Sequence, residues 1–164
     1  MLDHDEINSI LDVYPSVDLM ASSETVLKSP DGTSLRFVTK KIMPSDDAKL
    51  VVSENFFTTN LALLDQTILY WCFPPTNVAR QVLYRILDSK IPALVCIEHK
   101  ATSAWIWKAV KHNCKFWNFC FPRQLGYFHV ANTPMKAKSK HVILVTESAF
   151  HLQKHSLCKK PKIH

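Results

Sequence analysis

At 164 residues the chain has room for one domain with a real core and little room for a second. Apolar residues make up 47% and charged residues 21%, ordinary for a globular domain, and no run approaches the roughly 18 consecutive apolar residues of a membrane span. The net charge of +6 is uneven: residues 1–60 carry five Lys/Arg against ten Asp/Glu and residues 61–164 fifteen against four, which sets the halves at −5 and +11, and the basic half has the composition of a surface that faces phosphates.

The first residues, Met1 to Glu6, are acidic with no apolar stretch behind them. No secretory signal is expected there, and the chain is expected inside the cell, in the nucleus of a eukaryotic host and otherwise in the cytoplasm. Five cysteines without paired short spacing read as reduced thiols, and Cys114, Cys120, His112 and His129 do not have zinc-ligand spacing. Residues 5–13 are expected to form a short helix ended before Pro15, so that 1–15 is an N-terminal extension. Val17 to Met20 reads as a buried strand running into the small residues Ala21, Ser22 and Ser23. Ser29-Pro30-Asp31-Gly32 is a turn signal, Leu35 to Ile42 alternates as a strand, and the polar residues 43–55 read as loop.

Gln66 to Trp71 reads as a second buried strand, stopped by Pro74-Pro75. Consecutive prolines fix φ and remove two backbone donors, so this loop leaves the ladder and holds one shape. Val78, Ala79, Val82, Leu83, Ile86 and Leu87 then recur at helical spacing, with Thr76 or Asn77 placed to cap. Pro92 to Ile97 is a fully apolar strand with Glu98 and His99 at its end. Residues 102–111 are an amphipathic helix candidate, Lys115 to Phe121 is strand-like, Pro122 to Pro134 is a hairpin arm, and His141 to Thr146 is a last strand. The domain is therefore expected at 16–150, followed by a basic tail at 151–164 that holds Lys154, Lys159, Lys160 and Lys162. Its class is α/β, with a mainly parallel sheet and an antiparallel final strand.

In such a sheet, ligands bind past the carboxyl ends of the strands where strand order reverses. One strand end carries Asp18, Met20, Ala21 and Ser22, a small-residue turn that lets a ligand approach the backbone, with a helix N-terminus expected to follow. The other carries Tyr70-Trp71-Cys72-Phe73-Pro74-Pro75-Thr76. Lys108, Lys111, Lys115 and Arg123, interleaved with Trp105, Trp107 and Trp117, are the candidate nucleic-acid contacts.

The Pro-Pro loop resembles the D/N-P-P-Y/F/W loop of S-adenosylmethionine-dependent amino-methyltransferases, in the W-C-N-P-P-Y context of the phage-type, Dam-like DNA adenine methyltransferases. Asp18 to Glu24 is similar to that family's cofactor turn. Phe56-Phe57-Thr58-Thr59 resembles the segment before its catalytic strand, Thr102 to Trp105 a later helix start, and Lys115 to Phe128 its hairpin. The resemblance runs collinearly over about residues 16 to 146. It implies a Rossmann-like methyltransferase sheet, with S-adenosylmethionine at Asp18, Met20, Ala21 and Ser22 and the target base at Phe73, Pro74, Pro75 and Thr76. Phe73 stands where the family has its hydrogen-bond acceptor and Thr76 where it has an aromatic ring, so methyl transfer is expected to be impaired, with S-adenosylmethionine binding either kept or lost with it. About 45 residues separate the first strand from the Gln66 strand, which is short for two strand–helix units, so part of the cofactor wall is expected to be reduced. DNA is the expected partner, with a protein partner or self-association also open. The alternative is a non-catalytic nucleic-acid- or partner-binding module on the same fold, of viral or mobile-element origin.

Overall fold

Strands buried on both faces need apolar side chains in both directions, and Leu69 to Cys72 and Ile91 to Ile97 meet that requirement without a break. A computed structural model describes residues 14–99, 105, 117–120, 127–130, 133–136 and 140–152. Its strands are β1 (Val17–Asp18), β2 (Arg36–Thr39), β3 (Val51–Glu54), β4 (Tyr70–Cys72), β5 (Ala93–His99), β6 (Trp117–Cys120), β7 (Tyr127–Val130), β8 (Thr133–Lys136) and β9 (Lys140–Val145). Seven form one sheet in the order β3-β2-β1-β4-β5-β9-β6, and β7 and β8 form an antiparallel pair. The pairs from β3 through β5 are all parallel, and β9 is antiparallel to both β5 and β6. The fold is thus a mixed, mainly parallel α/β sheet with an antiparallel final strand, as expected.

Period-2 alternation sends the side chains to two cores. Tyr70 and Cys72 of β4 and Ala93, Val95 and Ile97 of β5 join Val17, Leu19 and Val38 on one face. There they meet the helix α1 (Ala79–Ser89), which buries Ala79, Val82, Leu83, Ile86 and Leu87 at the expected spacing. Burial of the larger four contributes roughly 1.5–3 kcal/mol each. Leu69, Trp71, Leu94 and Cys96 point the other way, with Phe37, Val145 and Ala149; Ala149 comes from the second helix, α2 (Glu147–Leu152). Trp105, helical, packs against the first core.

Several local expectations are corrected. The stretch 43–55 holds β3, a sheet-edge strand whose residues are half-buried or exposed and paired on one side only. The strand read at Gln66 begins at Tyr70, because Asp65 turns the chain by accepting from the Thr67 N–H at 2.8 Å. No helix follows β1: residues 19–35 run through turns with an isolated bridge, Lys28 to Ser34. The crossover to β3 is also a loop, so both strands fit the short interval at the cost of their helices. The N-cap of α1 is Val78, with no side-chain cap bond, rather than Thr76 or Asn77. The expected helix at 5–13 lies outside the described residues, as does all of 102–111 except Trp105. Of the expected tail at 151–164, only His151 and Leu152 are described, and they end α2.

Candidate functional site

Strand order reverses at β1, which is flanked by β2 on one side and β4 on the other. The carboxyl end of such a switch point is where an open parallel sheet leaves a crevice. Register brings the two candidate strand ends together there: Asp18 pairs with Trp71, two residues before Phe73. A cavity of about 700 Å³ opens at this point, and its wall includes Asp18, Met20, Ala21 and Ser22 together with Phe73, Pro74 and Pro75. The structure therefore unites both groups of candidate residues except Thr76, which is not in the wall.

Asp18 is 2% exposed. Its Oδ1 accepts from the Met20 N–H at 3.2 Å and its Oδ2 from the Leu27 N–H at 3.0 Å. Both oxygens thus staple the turn that replaces the expected helix. Burial pushes the carboxyl up to about 7, against the pull of these two bonds. Ser22 and Thr25 close the tip of the turn, the Ser22 N–H donating to Thr25 Oγ1 at 2.9 Å and the Thr25 N–H to Ser22 Oγ at 3.3 Å. This reciprocal pair makes a small-residue turn without glycine.

On the facing wall, Pro74 is buried and Phe73 half-buried, packed against the second core. The Val78 N–H donates to the Pro75 carbonyl at 3.1 Å and starts α1. Thr76 Oγ1 donates to Glu98 Oε2 at 2.8 Å, so the expectation that Glu98 lies at the same end of the sheet as the loop holds. Asn77 is exposed and lines the cavity, and among the described residues its carboxamide makes no hydrogen bond.

Sequence reasoning missed Lys40, Asn55 and the wall role of Phe57. Lys40 could have been found by applying the strand-end rule to the strand expected at Leu35–Ile42, since it follows β2 directly. Asn55 sits in a stretch read as loop. It adopts φ 63° at the end of β3, where its N–H donates to the Thr39 carbonyl at 2.6 Å and its Oδ1 accepts from the Phe57 N–H at 3.0 Å. That places Asn55 beside the end of β2, which carries Lys40. Phe57 meets Phe56 edge to face with ring centroids 5.4 Å apart, which stiffens this wall.

Lys108, Lys111, Lys115 and Arg123 lie outside the described residues. Among the described residues no group of three or more His, Cys, Asp or Glu could hold a metal ion, and no helix is long and apolar enough to cross a membrane. Neither protein-family models nor curated proteins give a match to the chain.

Proposed function

We propose that this chain is a DNA adenine methyltransferase-like protein that keeps the ligand cleft of a Rossmann-like sheet, has lost methyl transfer, and serves as a nucleic-acid-binding module. The observation that carries this reading is the meeting of the Asp18–Ser22 turn and the Phe73–Pro75 loop in one cavity at the switch point. The order β3-β2-β1-β4-β5 supports it too, being that of a doubly wound nucleotide-binding sheet.

The residues present do not suit S-adenosylmethionine. That molecule carries an ammonium, a sulfonium and a ribose diol, and each calls for an acceptor oxygen. The carboxyl group in the described wall is that of Asp18, which is 2% exposed, pushed toward its neutral form by burial and bound through both oxygens to backbone N–H groups. No step is derived through the cofactor. Activation of an amine fares no better: Phe73 has no acceptor, and Thr76, without a π face, gives its hydroxyl to Glu98. What remains is a rigid, apolar-walled cleft on a chain whose second half stands at +11, a combination suited to holding nucleic acid. The buried free thiols Cys72 and Cys96 suit a reducing, intracellular compartment.

The test is incubation of the full chain with methyl-labelled S-adenosylmethionine and adenine-containing duplex or single-stranded DNA. No label should enter DNA, while DNA binding should weaken with salt, and less steeply once Lys108, Lys111, Lys115 and Arg123 are replaced by Ala. Incorporation of label by the unmodified chain would refute the reading.

A further inference from the structure

The polar groups of the cavity differ from end to end in a way that identifies the charge of its ligand. At the β2–β3 end stands Lys40, exposed, in the wall and in no ion pair among the described residues. Next to it is Asn55, whose Oδ1 accepts from the Phe57 N–H, while its two Nδ2 N–H groups bond nothing among the described residues. The neighbouring hydroxyls are engaged: Thr39 Oγ1 donates to the Lys41 carbonyl at 3.3 Å, and Ser22 Oγ and Thr25 Oγ1 bond each other at 3.1 Å. With Asp18 bound to two backbone donors, the wall at this end presents donors and a positive charge; Glu54, paired across from Thr39, lies outside the wall and accepts from the Ile42 N–H at 2.9 Å.

Position sharpens the point. In a doubly wound sheet an acidic residue ~20 residues beyond the first strand's turn hydrogen-bonds a ribose hydroxyl, and an Arg nearby accommodates a phosphate carried on that ribose. The residue after β2 is Lys40. The remaining wall, with Phe56, Phe57, Trp71, Phe73, Pro74 and Val78, is apolar, and of its rings Phe57 is exposed and Phe73 half-buried, open to a stacked ring. The unpartnered Asn77 carboxamide lies beside it, and Asn can bond the N6 and N7 positions of adenine. A volume of about 700 Å³ falls in the range of small-molecule clefts.

We infer that the cleft takes an adenine nucleoside phosphate, its phosphate at Lys40 and Asn55 and its ring against Phe57 and the Phe73–Pro75 loop. This rests on the reading of the cavity as a nucleotide cleft, and it replaces a cationic cofactor with an anionic ligand. The nucleotide is either free or the phosphorylated 5′ end of a nucleic acid.

The experiment is calorimetric titration of the full chain with adenosine, AMP, S-adenosylmethionine, and a single-stranded oligonucleotide beginning in adenosine, with and without its 5′-phosphate. The expected result is a tenfold or greater advantage of the phosphorylated member of at least one pair, AMP over adenosine or phosphorylated over unphosphorylated oligonucleotide. The tighter of the two phosphorylated ligands identifies the source. Lys40→Ala should abolish the advantage, Lys40→Arg should keep it, and Asn55→Asp, which puts an anion where the N–H groups were, should reduce it. Circular-dichroism melts confirm that each variant is folded. Equal binding with and without phosphate, tighter binding of S-adenosylmethionine than of AMP, or a phosphate advantage that survives Lys40→Ala would overturn the inference and leave the nucleotide cleft standing. No binding by any of these compounds would remove the cleft reading as well.

Discussion

Thr76 Oγ1 and Glu98 Oε2 lie 2.8 Å apart, a hydrogen bond that ties the Pro-Pro loop to the end of β5 across 22 residues of chain. It gives Thr76 a physical role in fixing the loop. The loop is held by the buried Pro74, by the Pro75 carbonyl that accepts from the Val78 N–H, and by this bond, so its shape belongs to the scaffold rather than to an arriving ligand.

This pair should be energetically coupled. A hydrogen bond to a carboxylate, partly exposed, is worth about 1 kcal/mol. Urea unfolding of Thr76→Val, Glu98→Ala and the double variant should show a coupling of about 0.5–1 kcal/mol. Additive single effects would mean that the bond does not form in solution.

On the function proposed above, building an acceptor and a ring into the Pro-Pro loop should not create methyl transfer. The double change Phe73→Asn with Thr76→Tyr supplies both, groups on the order of a few kcal/mol of transition-state stabilisation where they act. It also breaks the tie to Glu98, and it leaves Asp18 committed and Lys40 in the wall. Label from S-adenosylmethionine should therefore stay out of DNA in this variant. Measurable transfer would show that the cofactor is held by groups other than those at the switch point.

Thr146 should prove the costliest single hydroxyl in the fold. It is 4% exposed; its Oγ1 accepts from the Ala93 N–H at 2.9 Å and the Ala149 N–H at 3.3 Å and donates to the Ile91 carbonyl at 3.1 Å. One side chain thus joins the end of β9, the start of β5 and the first turn of α2. Thr146→Val keeps the shape and removes the partners, leaving buried donors unsatisfied at about 1–3 kcal/mol and a helix uncapped at about 1 kcal/mol. Thermal or urea unfolding should show a loss of about 2–4 kcal/mol, while Thr146→Ser should recover most of it.

The centre of the sheet was legible in the sequence because burial on both faces leaves an unbroken apolar run, as at Ala93 to Ile97, and α1 because its buried residues recur at helical spacing. The edge was not. Val51 to Glu54 pairs on one side, and half-buried side chains leave no pattern to read. The start of α1 was misread because the Thr76 hydroxyl finds Glu98, a contact between residues far apart in sequence that no local rule anticipates. At the site, the small residues after β1 and the double proline announced two strand ends, and register brought them together. Asn55 depended on β3 being present, so its place in the wall was out of reach.

Asp18 should make the fold less stable at neutral pH than at mildly acidic pH. Its carboxyl is ordinarily near 3.8 and is pushed up to about 7 by burial, with the Leu27 and Met20 N–H groups opposing. The folded chain therefore holds this proton through a range in which the unfolded chain has released it. Stability from the neutral form is fully present below the unfolded pKa and is lost as pH rises through about 7, a span worth roughly 4 kcal/mol. The charged neighbours do not blur this window. Burial, with Asp18 adding to it, pushes the Tyr14 hydroxyl up to about 12 and holds the Cys72 thiol well above its ordinary range, so both stay neutral throughout. Asp18→Asn removes the titration and exchanges one acceptor for a donor, at about 1–3 kcal/mol. The native chain's lead in melting temperature over Asp18→Asn should therefore fall as pH rises from 4 and turn into a deficit by pH 8, since the loss of roughly 4 kcal/mol exceeds the cost of the substitution, and this separates the group from the histidines common to both. A constant difference would place the Asp18 proton elsewhere, and a growing one would mean that the buried carboxylate is stabilised by its two N–H donors more than it is penalised by burial.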